Sequence, residues 1–132
     1  MRLRNGIGVS SLDGPPVVEA SGARTICYLS VGTAETFRPD YARFQAIPGI
    51  LGNTFPGFSD ERYLNIANYT QFIAIMDDRL RMCRDKGFDF VEFDNMDSYA
   101  EGSGTTGFAI TEAQAIAYVT ELARLTNLYG MQ

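Results

Sequence analysis

Two kinds of hydrophobic spacing alternate along this chain. Thr25 to Val31 (Thr-Ile-Cys-Tyr-Leu-Ser-Val) is nearly continuously apolar and closes at Gly32, the pattern of a strand buried on both faces. Further on, Phe72, Ile75, Met76, Leu80 and Cys83 recur at helical spacing, and Lys86 and Gly87 suit the end of that helix. The next segment, Gly87-Phe88-Asp89-Phe90-Val91-Glu92-Phe93-Asp94-Asn95-Met96-Asp97, is short, apolar, β-prone and finished by acids. A second helical stripe follows at Ala115, Tyr118, Val119, Leu122 and Leu125, ended by Asn127 and Gly130. Each helix has a candidate capping box before it: Asn68-Tyr69-Thr70-Gln71 for the first and Thr111-Glu112-Ala113-Gln114 for the second.

The remaining stretches carry weaker patterns. Residues 7–12 read as a short strand. Asp13-Gly14-Pro15-Pro16 reads as a turn, with Pro16 opening a short helix through Ala20 that Gly22 ends. Thr33 to Ala67, with Gly and Pro scattered through it, reads as a long loop holding a short helix at 40–46 and an extended piece at Arg62–Ile66. Ser98 to Gly107 reads as a flexible loop. Strand, helix, strand, long loop, helix, strand, loop, helix is the alternation of an α/β fold with parallel strands. A complete (β/α)₈ barrel takes about 250 residues. The 132 residues here hold about three βα units, so the expectation is one partial TIM-barrel domain over 1–132, with a further strand expected after the last helix.

Composition narrows the chemistry. The net charge of −5 and the lack of a basic run argue against nucleic acid and anionic membrane as partners. No apolar run approaches membrane-spanning length, and the basic Met1-Arg2-Leu3-Arg4-Asn5 is not followed by the apolar core of an export signal. There is no histidine, which removes Ser-His-Asp and Cys-His catalysis and histidine-bound zinc. Cys27 and Cys83 fall at apolar positions, so buried free thiols are expected in preference to a disulfide or a metal site. Asp94, Asn95 and Asp97 lack the alternate spacing of a calcium loop, and the glycines after them lack the Gly-Lys-Ser/Thr of a phosphate loop. No cofactor and no metal are expected. Carboxylates remain for acid/base work.

On the acidic strand, period-two alternation puts Phe88, Phe90, Glu92 and Asp94 on one face and Asp89, Val91, Phe93 and Asn95 on the other. Glu92 and Asp94 then lie near the strand's carboxyl end, where parallel α/β folds keep their chemistry. A carboxylate inside a strand beside phenylalanines is costly without a partner or a task.

Three motifs together resemble glycoside hydrolase family 114, the endo-α-1,4-polygalactosaminidase-like TIM-barrel proteins. They are Ile26-Cys27-Tyr28-Leu29-Ser30-Val31-Gly32 with Arg38-Pro39-Asp40, then Ile75-Met76-Asp77-Asp78-Arg79-Leu80, then Gly87-Phe88-Asp89 through Asp94-Asn95-Met96-Asp97 with Gly107-Phe108. The likeness is strongest over 24–128. The chain departs from the family's usual residues at Asn65 (Asp), Phe58 (Trp nearby), Phe90 (Gly), Phe93 (Pro) and Ser98 (Gly). The resemblance implies hydrolysis of α-linked galactosamine-containing polysaccharide by two carboxylates. Asp94 aligns with the family's nucleophile, and the family's acid/base glutamate lies beyond Gln132. Glu92, beneath Asp94, would support it. Asn95, Asp97 and Tyr28 would line the site or contact sugar, and an acidic pocket suits a cationic polymer. The resemblance also implies an exported protein. Two other readings stand beside it: a non-catalytic carbohydrate-binding remnant of such a barrel, and a carboxylate metal site made of Glu92, Asp94 and Asp97.

Overall fold

The structure, a computed structural model, describes residues 9–10 and 24–132. Its centre is a parallel sheet of β1 (Val9–Ser10), β2 (Ile26–Ser30) and β6 (Phe90–Asp94), with β2 in the middle. The strand expected at 7–12 is present as β1. The turn and short helix expected at 13–20 lie outside the described residues. The β2–β6 register pairs Tyr28 with Glu92 and Ser30 with Asp94, so these four side chains share one face. Cys27 and Leu29 share the other face with Val91 and Phe93, which pack against the hydrophobic core. One side of the sheet is therefore polar and the other apolar, as a barrel's inner and outer faces must be when helices cover the outside.

Two helices cover that apolar side. Helix α2 (Ile73–Asp85) buries Ile75, Met76, Leu80 and Cys83, the stripe its spacing predicts. Helix α4 (Glu112–Leu128) buries Ala115, Tyr118, Leu122 and Leu125 and opens on a formed capping box. There the Thr111 hydroxyl accepts from the Gln114 N–H, and the Gln114 side chain accepts from the Thr111 N–H. The buried Tyr118 hydroxyl donates to the Val31 carbonyl at 2.6 Å, fastening α4 to the end of β2. After α4 the chain turns through Gly130 (φ 79°). Gln132 then accepts from Val91 N (2.8 Å) and donates to Asp89 O (3.2 Å). Bonding to residues on either side of Phe90 is the parallel-ladder pattern, so Gln132 is hydrogen-bonded along the edge of β6 opposite Phe90.

Four expectations are corrected. The long loop is mostly a second, antiparallel sheet of β3 (Thr33–Glu35), β5 (Phe58–Leu64) and β4 (Leu51–Phe55), with helix α1 (Tyr41–Gln45) between β3 and β4. Pro56-Gly57, with Gly57 at φ 84°, makes the tight hairpin turn between β4 and β5. The Asn68 capping box does not form. Residues Ile66–Gln71 make a 3₁₀ turn instead, and α2 begins after Phe72 with no side-chain cap. Ser98–Glu101 and α3 (Ser103–Thr106) replace the expected flexible loop with a 3₁₀ turn and a short helix. Lastly, Cys27 and Cys83 are not free thiols. They form a disulfide between β2 and α2, with Cα atoms 6.0 Å apart. Both positions are buried as their apolar setting implied, but helix packing on the strand brings the two sulfurs together.

Candidate active site

The carboxyl ends of β2 and β6 meet the antiparallel sheet at one spot, and Asp94 stands there. Tyr28 donates to Asp94 Oδ2 at 2.5 Å, and the backbone N–H of Asn95 donates to Oδ1 at 2.9 Å. Each carboxylate oxygen thus has a fixed donor, which holds the group in one orientation. Tyr28 is 3% exposed and reaches Asp94 along the polar face of the sheet. Tyr28, expected to line the site or contact sugar, is in direct contact with Asp94.

Asn95 adopts φ 62°, in the left-handed region that few non-glycine residues enter. Its carbonyl oxygen lies 1.7 Å from where a Cβ on residue 32 would sit, so only glycine fits there. Gly32 and the turn at Asn95 therefore interlock. The Asn95 side chain donates from Nδ2 to Ser30 Oγ at 2.9 Å. Ser30 is hydrogen-bonded to Thr33, and Thr33 donates to Glu61 Oε2 at 2.8 Å. Sequence reasoning named none of Ser30, Thr33 and Glu61 as site residues. The alternation of residues 59, 61 and 63 was the signal available for Glu61, and an assigned strand would have exposed it.

The other expected site residues spread outward. Glu92 lies two residues below Asp94 on the same face, half-buried, and across from Tyr28. Asp97 is exposed on the turn after β6. Its charge reaches Tyr63, whose hydroxyl donates to Glu101. Burial first, and then Glu101 and Asp97, push the Tyr63 hydroxyl well above its usual range, so it stays a proton donor. Asp97 also lines a groove of about 270 Å³ with Met96, Tyr99, Ile116 and Val119. Phe90 faces inward, half-buried, with the Arg24 guanidinium 5.8 Å from its ring centre. Among the described residues, Glu92, Asp94 and Asp97 do not come together as a metal-binding group.

Behind the site, Arg79 on α2 forks onto Asp40, Nε to Oδ2 at 2.6 Å and Nη2 to Oδ1 at 2.7 Å. Arg79 is 2% exposed and its ring neighbour is Phe44, 5.5 Å from the guanidinium. Burial alone would raise the Asp40 carboxyl. The bonds and charge of Arg79 outweigh it and hold the group below the usual carboxylate range. Two of the motifs that carried the resemblance, Arg38-Pro39-Asp40 and Asp77-Asp78-Arg79, thus meet in one ion pair.

The model of glycoside-hydrolase family GH114 matches residues 11–132. The chain belongs to that family. Among solved structures it is similar to Ega3 of Aspergillus fumigatus, in complex with galactosamine, at 36% identity and TM-score 0.79 over 87% of this chain and 43% of that one. It is also similar to the glycoside hydrolase domain of PelA from Pseudomonas aeruginosa, at 16% identity and TM-score 0.55 over 87% of this chain and 44% of that one, which speaks for the fold alone. A comparison with curated proteins gives no match. The chain spans less than half the length of these two solved structures. Its α/β architecture with parallel strands corresponds to part of their fold, and the described residues do not close a barrel.

Proposed function

We propose that this chain supplies the nucleophile-bearing wall of a glycoside hydrolase that cleaves α-linked galactosamine-containing polysaccharide with two carboxylates. The observation that carries the reading is Asp94, fixed through both oxygens at the carboxyl end of a parallel strand. In the proposed reaction Asp94 attacks the anomeric carbon while a general acid protonates the departing glycosidic oxygen. Tyr28 and Asn95 orient the attacking carboxylate. Glu92 supports it from below, and Asp97 contacts sugar at the rim. The second carboxylate is assigned outside residues 1–132, as the family resemblance implies; Glu92, on the same strand as Asp94, cannot face it across a substrate. A cationic substrate is supported by the net charge of −5, by acids at the mouth such as Asp97 and Glu101, and by the galactosamine bound in Ega3. The Cys27–Cys83 disulfide supports an oxidising compartment, and so an exported protein.

The test is a reducing-end assay on de-N-acetylated galactosaminogalactan. It compares the 132-residue chain with a polypeptide that continues through the remaining barrel strands. The longer polypeptide should turn over, and Asp94→Asn should lower its kcat on the order of 10⁴-fold with the fold intact. The 132-residue chain should show none, because lack of a general acid alone costs about 10²–10⁴-fold. Turnover that survives Asp94→Asn would remove Asp94 from the role. Sugar binding by the longer polypeptide without any turnover would favour the carbohydrate-binding alternative.

A further inference from the structure

Glu61 is a carboxylate only 5% exposed, and it lies on β5 of the antiparallel sheet rather than on a barrel strand. A buried carboxylate that no reaction step uses is costly, so what it holds in place is informative. We propose that Glu61 is a positioning residue. It fixes the Asp94 carboxylate from the antiparallel sheet through a one-way chain of hydrogen bonds across Thr33, Ser30 and Asn95. The proposal rests on the reading of Asp94 as the reacting carboxylate.

The direction of the chain follows from counting protons. An ionised carboxylate only accepts, and a hydroxyl has a single proton to give. Thr33 gives its proton to Glu61 Oε2 at 2.8 Å. The bond between Ser30 Oγ and Thr33 Oγ1 must then be donated by Ser30. With its own proton committed, Ser30 can only accept from Asn95, and the group 2.9 Å away is the Nδ2 donor. The orientation of the Asn95 amide is thus set at Glu61, three hydrogen bonds away. Ser30 and Thr33 are 1% and 0% exposed, so water does not compete for these bonds.

Asn95 is also the residue whose N–H holds Asp94 Oδ1, and it sits in a left-handed backbone conformation with its carbonyl pressed onto Gly32. An anchored side chain is what keeps such a conformation populated. The link from Glu61 to Asp94 is therefore physical at every step: the side-chain chain fixes Asn95, and Asn95 fixes one oxygen of Asp94. Tyr28, on the parallel strand, fixes the other. The carboxylate is held from two sheets at once.

Thr33→Val keeps the shape of the side chain but breaks the chain in the middle, and Thr33→Ser restores the hydroxyl. Two readouts apply. In the 132-residue chain, hydrogen exchange of the Asn95 Nδ2 protons and backbone N–H, followed by NMR, should speed up about 10-fold in Thr33→Val, with α2 amides unchanged. In the longer, active polypeptide, Thr33→Val should lower kcat on the order of 10²-fold while KM stays within about two-fold. Thr33→Ser should return both toward wild type. Glu61→Leu should reproduce Thr33→Val in both readouts; if it does not fold, Thr33→Val with its serine rescue decides the matter. Unchanged exchange at Asn95 in Thr33→Val, or loss that Thr33→Ser fails to rescue, overturns the proposal. If hydrolysis proves independent of Asp94, the nucleophile assignment falls, and the exchange result still decides whether Glu61 positions this carboxylate.

Discussion

The parallel strands and the antiparallel sheet inserted between β2 and α2 reach the same spot, yet they are held there by different forces. The parallel part is fastened by apolar burial of Cys27, Leu29, Val31, Ile75, Met76, Leu80 and Leu122, and by a disulfide. The inserted sheet also buries apolar side chains such as Leu64, but it adds polar joints to the parallel part: Ser30 to Thr33, Tyr63 to Glu101, and Arg79 to Asp40. Apolar burial is tolerant of exact geometry and supplies most of the stability. Hydrogen-bonded joints are directional, and they cost dearly when one partner is lost. The difference teaches a division of labour, in which the framework keeps the chain folded and the inserted sheet aims side chains at Asp94.

The largest expected effect tests the framework. The Cys27–Cys83 bridge closes 56 residues of chain, which the chain-entropy argument values at about 4 kcal/mol. Cys27→Ser, or wild type with reductant, should lower the unfolding free energy obtained from urea titration by that amount. A change below about 1 kcal/mol would mean the bridge stabilises the fold far less than loop closure predicts.

The next effect tests the joint between the two regions. Asp40→Asn leaves Arg79 buried beside a neutral partner and should cost about 3 kcal/mol at neutral pH. The folded Asp40 carboxyl lies below its unfolded value, so its contribution is complete at neutral pH and is lost as pH falls through and below the ordinary aspartate range near about 4. Stability measured from pH 7 down to 2 should show an acid limb in wild type that is shallower in Asp40→Asn. Parallel acid limbs would remove Asp40 as its source.

Gly32→Ala sharpens the comparison further, because it strikes where the two sheets and the Asn95 turn touch. The added Cβ meets the Asn95 carbonyl, so the turn must move, at about 2 kcal/mol. The NMR signals of Asn95 and Ser30 should shift far more than those of α4. A smaller and opposite effect is expected at Ser98. The two buried side-chain polar atoms without a hydrogen-bond partner among the described residues are Asn65 Oδ1 and Ser98 Oγ. Both positions are among those where this chain departs from its family's usual residues. Ser98→Ala removes an unsatisfied hydroxyl and should be neutral or stabilising by up to about 1 kcal/mol, read as an unchanged or raised melting temperature. A clear destabilisation would mean the hydroxyl has a partner in solution.

What the sequence determined by itself was whatever rests on contacts with near neighbours or on a simple period. The spacing of Phe72 to Cys83 and of Ala115 to Leu125 defined α2 and α4, and the continuous apolar run defined β2. The alternation of β6 put Glu92 and Asp94 on one face, and the motifs carried the family. Only tertiary structure decided the rest. The disulfide depends on how α2 lies on β2, which no local pattern encodes. Apart from the extended piece at Arg62–Ile66, which overlaps β5, the antiparallel sheet went unread because exposed positions such as Asn53, Thr54 and Ser59 interrupt its apolar pattern. Its strands are defined by pairing with each other across the Pro56-Gly57 turn rather than by their own composition. The Asn68 box failed because a short-range cap competes with burial of Ile66 and Phe72, and burial of two large side chains outweighs one capping bond. Glu61 stayed invisible for the same reason as the sheet that carries it. A residue that acts through Thr33, Ser30 and Asn95 becomes legible only once segments 28 to 65 residues apart are folded into contact.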